Sequence, residues 1–179
     1  MSDIMLDLES LGTRPDCAIL TLGAVKFNPY DIQSEPGPGL YFRIDVDEQL
    51  ALGREVQEDT LNWWMQQAED VREEALGEND RISLTEMYQR LNKFLVGANN
   101  IWCQGPAFDI VILENIYRQM GWPTPWQFWQ IRDSRTLFGV HGDPREKNKI
   151  GLHNALEDCV SQAQGVQQIY HRLNITKFK

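Results

Sequence analysis

The chain has 179 residues, 42% of them hydrophobic and 24% charged, with a formal net charge of −9. That balance excludes a disordered chain and fits one globular domain over residues 1–179. No apolar run approaches a membrane span and no basic-then-apolar leader opens the chain, so no membrane partner is expected. The acidic balance also excludes a broad basic surface for nucleic acid, but not a strand end held through metal ions.

The first predicted element is a strand over "IMLDLES", residues 4–10. With a period of two, Ile4, Leu6 and Leu8 share one face, and Met5, Asp7 and Glu9 share the other. Same-face neighbours lie roughly 6.5–7 Å apart, so Asp7 and Glu9 can lean onto one cation. A buried, unpaired charge costs several kcal/mol, and a like-charged pair costs more, so a positive partner is required. "SLGTRPD" breaks the strand, and "CAILTLGAVKF" (17–27) is a second one. The Pro- and Gly-rich "NPYDIQSEPGPG" is a loop, and "LYFRIDV" (40–46) is a third strand, which suggests an antiparallel meander.

Helical periodicity follows. In "EDTLNWWMQQAEDVREEAL" (58–76), Leu61, Trp64, Met65, Ala68, Val71 and Ala75 form one apolar stripe, with Asp59 or Thr60 placed to cap its start. Trp63 projects roughly 100° from that stripe. It either packs against another element or a partner, or offers a stacking platform for a base. A second amphipathic helix covers 83–97, with Ser83 and Glu86 as a capping box. "NIWCQ" is a short strand, "AFDIVILENIYRQMG" (107–121) a helix ended by Gly121, and "WQIRDSRTLF" a strand–helix junction. The closing helix carries Leu156, Cys159, Val160, Ala163, Val166, Tyr170 and Leu173 on one side. Strands first, then alternating helices and strands, indicate an α/β layer fold with a mixed sheet. Cys17, Cys103 and Cys159 have no paired ligand spacing and read as reduced packing residues of a cytoplasmic protein.

Two further carboxylates stand in unusual places. Asp109 lies in the first turn of its helix, beside Ile112 and Leu113; alone, it reads as a helix-dipole carboxylate. The preceding Gly105 and Pro106 make a turn that permits close approach of a backbone or ligand. Asn154 with Glu157 resembles a helix N-cap and its third-position partner, placing His153 just outside the helix and Asp158 one turn inside. A histidine at a helix entrance is by itself more often structural than catalytic, and His141 and His171 keep that plain reading. Arg132, Arg135, Arg145, Lys147 and Lys149 cluster before "GLHNALED", either as a solvated loop or as contacts to a nucleic-acid backbone. Collected, Asp7, Glu9, Asp109 and Asp158 are hard oxygen ligands suited to Mg²⁺ or Mn²⁺ and not to zinc. Two such ions about 3.5–4 Å apart can clamp the attacking and leaving oxygens of a phosphoryl displacement. A neutral histidine beside them can take a proton from water.

At these residues the sequence resembles the DEDDh (DnaQ-like) family of 3′–5′ exonucleases, which has a ribonuclease H-like fold. "DLESLG" (7–12) resembles the first family motif, "WCQGPAFDIVIL" (102–113) the second, and "HNALED" (153–158) the third, His-x-Ala-x-x-Asp. The Trp-Trp helix and "RDSRTL" are similar to an exonuclease VIII-like and phage exonuclease A-like branch. The resemblance implies a mixed central sheet, a three-strand antiparallel meander plus parallel strands, flanked by helices. It implies that Asp7, Glu9 and Asp158 ligate one metal, that Asp7 reaches a second with Asp109 acting directly or through water, and that His153 is the general base. Ser10, where Thr is commoner, and Leu11 occupy positions that approach the terminal nucleotide; with Phe108 and Trp63 they are the expected substrate contacts. Cys159 stands where a small residue such as Ala is usual, which threatens nothing in the chemistry. The implied activity is two-metal 3′–5′ hydrolysis of single-stranded ends, DNA favoured, releasing nucleoside 5′-monophosphates. An exoribonuclease or oligoribonuclease-like enzyme, or a catalytically silent binding module, is the alternative. A homodimer is an expectation by analogy alone.

Overall fold

The first strand, β1 (Asp3–Ser10), lies inside a six-stranded sheet in the computed structural model, which describes residues 2–145 and 153–177. Its alternation suits that place. Ile4, Leu6 and Leu8 enter one apolar cluster, and Met5 enters a second on the opposite face. β2 (Ile19–Phe27) and β3 (Gly39–Ile44) complete the antiparallel meander. β4 (Arg81–Ile82), β5 (Ile101–Cys103) and β6 (Ile131–Asp133) join in parallel, giving the order β4-β3-β2-β1-β5-β6. The helices are α1 (Val46–Ala51), α2 (Glu58–Met65), α3 (Glu69–Leu76), α4 (Leu84–Leu95), α5 (Asp109–Met120), α6 (Ser134–His141) and α7 (Ala155–Arg172). α4 and α5 pack on the Ile4/Leu6/Leu8 face, while α6 and α7 cover the Met5 face. Among the described residues, no helix is long and apolar enough to cross a membrane.

Helix ends follow the expected chemistry. The Ser83 hydroxyl accepts from the Glu86 N–H at 3.1 Å, and Gly121, with φ 71°, closes α5 in the left-handed conformation. One close approach then positions the site. Gly23 pairs with Asp7 across the β1–β2 ladder, and a Cβ added at Gly23 would lie 2.2 Å from the Ala155 carbonyl carbon. Only glycine therefore lets the first turn of α7 sit directly on the sheet beside Asp7.

Four expectations need correction. The third strand stops at Ile44, because the Asp45 carboxylate accepts from the Glu48 N–H at 2.9 Å and starts α1. The single helix over 58–76 is two helices, broken between Met65 and Glu69. Along a straight helix, Trp64 and Ala75 would stand about 16 Å apart, yet both enter one cluster with Leu11, Ala18 and Leu20. The fold-back brings them together and leaves Leu61 and Met65 exposed. The cap of α2 is Gln57, with no side-chain cap bond, and neither Asp59 nor Thr60 takes that position. On α7, Cys159, Ala163 and Val166 are buried and Leu156, Val160 and Tyr170 partly so, whereas Leu173 is exposed at the C-cap. Lys147 and Lys149 lie outside the described residues.

Candidate active site

Asp7 and Glu9 leave the C-terminal half of β1 on the face that α7 covers. A register shift between Glu9 and Ser10 kinks the ladder there, just beyond the two carboxylates, before Ser10 pairs with Ile19. Asn154 caps α7, accepting from the N–H groups of Leu156 and Glu157 at 3.1 Å each, and so delivers Asp158 in the first turn. Asp7, Glu9 and Asp158 each offer a carboxylate oxygen within 4.8 Å of the other two. Asp109 comes from the first turn of α5, where it is buried and accepts the Leu8 N–H through Oδ1 at 3.1 Å. That bond stitches α5 to the β1 main chain between the two strand carboxylates. All four acids line one cleft of about 230 Å³.

The electrostatics of this cleft are unfavourable as it stands. Burial, then the charges of Asp109, Glu9 and Asp158, push the Asp7 carboxyl well above its ordinary range. Burial, then Asp158 and Asp109, raise Glu9 from 4.5 to about 8. Burial raises Asp109 to about 7 against the opposing pull of the Leu8 N–H, its own backbone N–H and Arg135. None of Asp7, Glu9 and Asp109 forms an ion pair with Lys or Arg among the described residues. Convergent hard oxygens of this kind fit a divalent cation, held by Asp7, Glu9 and Asp158 with Asp109 adjacent. Thiol ligation fits poorly: burial, followed by the nearby carboxylates, keeps the buried Cys103 and Cys159 thiols protonated by pushing their pKa values up.

Gln162 was not singled out in the sequence, although it stands one turn beyond Asp158 on the same helix face. Its Nε2 donates to Asp7 Oδ1 at 3.0 Å, orienting that carboxylate. Gln162→Ala is expected to weaken Mg²⁺ binding about 10-fold or more. The check is the Mg²⁺ concentration giving half-maximal thermal stabilisation; an unchanged midpoint would refute the orienting role.

His153 lines the same cleft, with a φ of 55° at the entrance to α7. Its ring meets Trp63 edge-on at 4.9 Å between centroids and Trp64 at 6.2 Å. Trp63 is therefore a packing residue against His153, yet it stays 40% exposed and lines a neighbouring cavity of about 490 Å³. Phe108, Leu8 and Glu9 border both spaces. Ser10 lines the larger cavity while its hydroxyl donates to the Gly12 carbonyl at 2.6 Å. Leu11 does not join them. It is buried, its N–H bonds Ala18, its carbonyl accepts from Gln57, and it borders neither cavity. Asp59 and Thr60, expected only as capping residues, line the larger cavity instead. The Trp64 indole ties α2 to the end of β1 by donating to the Ser10 carbonyl at 2.8 Å.

Comparison with known proteins agrees with this geometry. A family model described as a 3′–5′ exoribonuclease Rv2179c-like domain matches residues 2–170. An exodeoxyribonuclease of Enterobacteria phage T4 is 24% identical over 161 residues, covering 76% of this chain and 70% of that protein. E. coli exonuclease I, solved with a dA16 oligonucleotide, superposes with a TM-score of 0.62 at 14% identity over 96% of this chain. The chain spans only 42% of that enzyme. The nuclease domain of 3′hExo, a DEDDh family member bound to rAMP, gives a TM-score of 0.54 at 11% identity over 99% of this chain and 94% of its own. At such identities the solved structures speak for the fold, which is that of ribonuclease H-like exonucleases.

Proposed function

The chain belongs to the Rv2179c-like family of 3′–5′ exoribonuclease domains, and from that premise we propose that it removes nucleotides from the 3′ end of single-stranded nucleic acid. One observation carries the reading: Asp7, Glu9, Asp109, Asp158 and His153, from distant parts of the chain, line one cleft. A catalytically silent binding module would have no need of this repulsive set. Every residue invoked belongs to one chain, so the proposal does not call on a homodimer.

Four carboxylates match the charge of two divalent cations, Mg²⁺ or Mn²⁺. When bound, such ions neutralise charge on the reacting phosphate and lower the pKa of water. The chain's own groups do the remaining work. Asp7, Glu9 and Asp158 hold the cation site, and Asp109 fixes it to the β1 backbone through Leu8. A ring nitrogen of His153 takes the proton from the attacking water, with Trp63 and Trp64 holding the ring at the cleft. The larger cavity, walled by Phe108, Ser10, Trp63 and Trp64, takes the terminal sugar and base, with Trp63 the stacking surface. Leu11 supports that wall from behind.

Two sugars stand as readings. The family description favours RNA ends, and the name of the phage relative favours the DNA expected from sequence. Matched 5′-labelled RNA and DNA strands, with Mg²⁺ and with chelator, decide between them. Stepwise shortening from the 3′ end with release of nucleoside 5′-monophosphates is expected, lost in chelator and slowed about 100-fold by His153→Ala. Internal nicking of a circular strand would overturn the exonuclease reading.

A further inference from the structure

Of the basic residues that cluster before α7, Arg132, Arg135 and Arg145 are described, and their surroundings differ. Arg145 borders the cleft, but its guanidinium is already used: Nη2 and Nε bond the Asp143 carboxylate at 2.6 and 2.9 Å, and the group lies 4.8 Å over the Phe138 ring. Arg132 donates through Nη1 to the Trp129 and Ile131 carbonyls, at 2.7 and 2.9 Å, and does not border the cleft. Arg135, the second residue of α6, borders the cleft and makes no ion pair among the described residues. Its Nη2 donates to the Gln104 carbonyl at 2.8 Å, anchoring the group at the end of β5, while Nε and Nη1 carry no other hydrogen bond there. Gly105, whose φ of 118° favours glycine, lies beside this group, and a Cβ in its place would make an ordinary contact with Nε at 3.4 Å.

We propose that Arg135 is a specificity residue that binds the phosphate immediately upstream of the bond being cut, on the strand that remains. The inference rests on the exonuclease reading and deepens it. Arg135 borders the carboxylate cleft but not the larger cavity assigned to the terminal nucleotide. A strand with its last nucleotide in that cavity and its scissile phosphate at the carboxylates runs onward past Gln104 and Arg135. A chain of net charge −9 repels that incoming phosphate. An anchored guanidinium whose Nε and Nη1 have no hydrogen-bond partner among the described residues can pair with phosphate oxygens and offsets the repulsion at one point.

The test compares a trinucleotide, which has an upstream phosphate, with a dinucleotide lacking a 5′-phosphate, which has none. Wild-type protein is expected to show a KM about 10–30-fold lower on the trinucleotide. Arg135→Gln should shrink that ratio to about 2–3-fold, and Arg135→Lys should restore part of it. The salt dependence of log kcat/KM on longer strands should flatten by about 0.7 in the Gln variant. Arg135 is exposed, so its variants are expected to melt within about 2 °C of wild type. A ratio unchanged by Arg135→Gln, or equal losses on both substrates, would overturn the inference. Wild-type protein that cleaves neither substrate would instead overturn the exonuclease reading beneath it.

Discussion

Asp7→Asn is expected to lower the hydrolysis rate by about 10³-fold or more while raising the melting temperature of the metal-free protein. The two effects share one cause. Asp7 is the carboxylate that faces Glu9 along the strand, Asp158 across the cleft and Asp109 from α5, and burial first, then all three charges, push its pKa upward. Asparagine keeps the shape and can still accept the Gln162 Nε2 bond at Oδ1. It removes the charge that a divalent cation needs. Losing several kcal/mol of charge stabilisation at the reacting phosphate corresponds to about three powers of ten in rate. Without metal, the same substitution relieves repulsion in a poorly solvated cleft. At pH 8 in chelator it should add about 1–3 kcal/mol, or roughly 2–10 °C for a chain of this size. Single-turnover rates and thermal melts check the two halves separately. A near-wild-type rate would remove Asp7 from the metal site, and a lower melting point would mean that the carboxylates do not strain the fold.

That opposition of stability and chemistry is also what made the site legible. Ordinary strand alternation explains Ile4, Leu6 and Leu8, and Asp7 and Glu9 stand out because they occupy the buried counterpart face. Asn154 announced the start of α7, and with it the place of Asp158 in the first turn. Asp109 was weaker by itself, since an acid in a first helical turn is commonplace; its bond to the Leu8 N–H is a long-range contact that no local pattern encodes. The contact of His153 with Trp63 is of the same kind. The break between α2 and α3 was hidden because apolar spacing continues across Gln66 and Gln67, with no Gly or Pro to interrupt it. Only tertiary packing around Leu11 and Leu20 decides there. Gly23 carried a readable signal, a glycine inside an apolar strand, whose meaning required knowing which helix lies upon it. Gln162 looks like an ordinary polar residue until the cleft exists, and the basic cluster that holds Arg135 carries no sign of which members border that cleft.

Metal-free stability should fall as pH rises from about 5.5 to 8.5, and Mg²⁺ should abolish the fall. Glu9 rises from 4.5 when solvated to about 8 in the folded protein, Asp109 reaches about 7, and Asp7 shifts the same way. Between those limits the folded state holds protons that the unfolded state has released. Stability therefore decreases with pH, being fully present below about 4 and lost as pH passes through the folded values. Asp143 shifts the other way, drawn below 3.8 chiefly by its hydrogen bond from Arg145, so it titrates outside this window. In chelator the melting temperature should drop by about 5–10 °C across the range. Mg²⁺ would bind only the deprotonated cluster, so its expected stabilisation grows as the protons leave. In about 10 mM Mg²⁺ the same series should vary by no more than about 2 °C. Proton release on Mg²⁺ binding, measured in weakly buffered solution at pH 7, provides an independent reading of the same linkage. Parallel melting curves with and without Mg²⁺, or a metal-free curve that rises with pH, would show that the acids of β1, α5 and α7 do not share a cation.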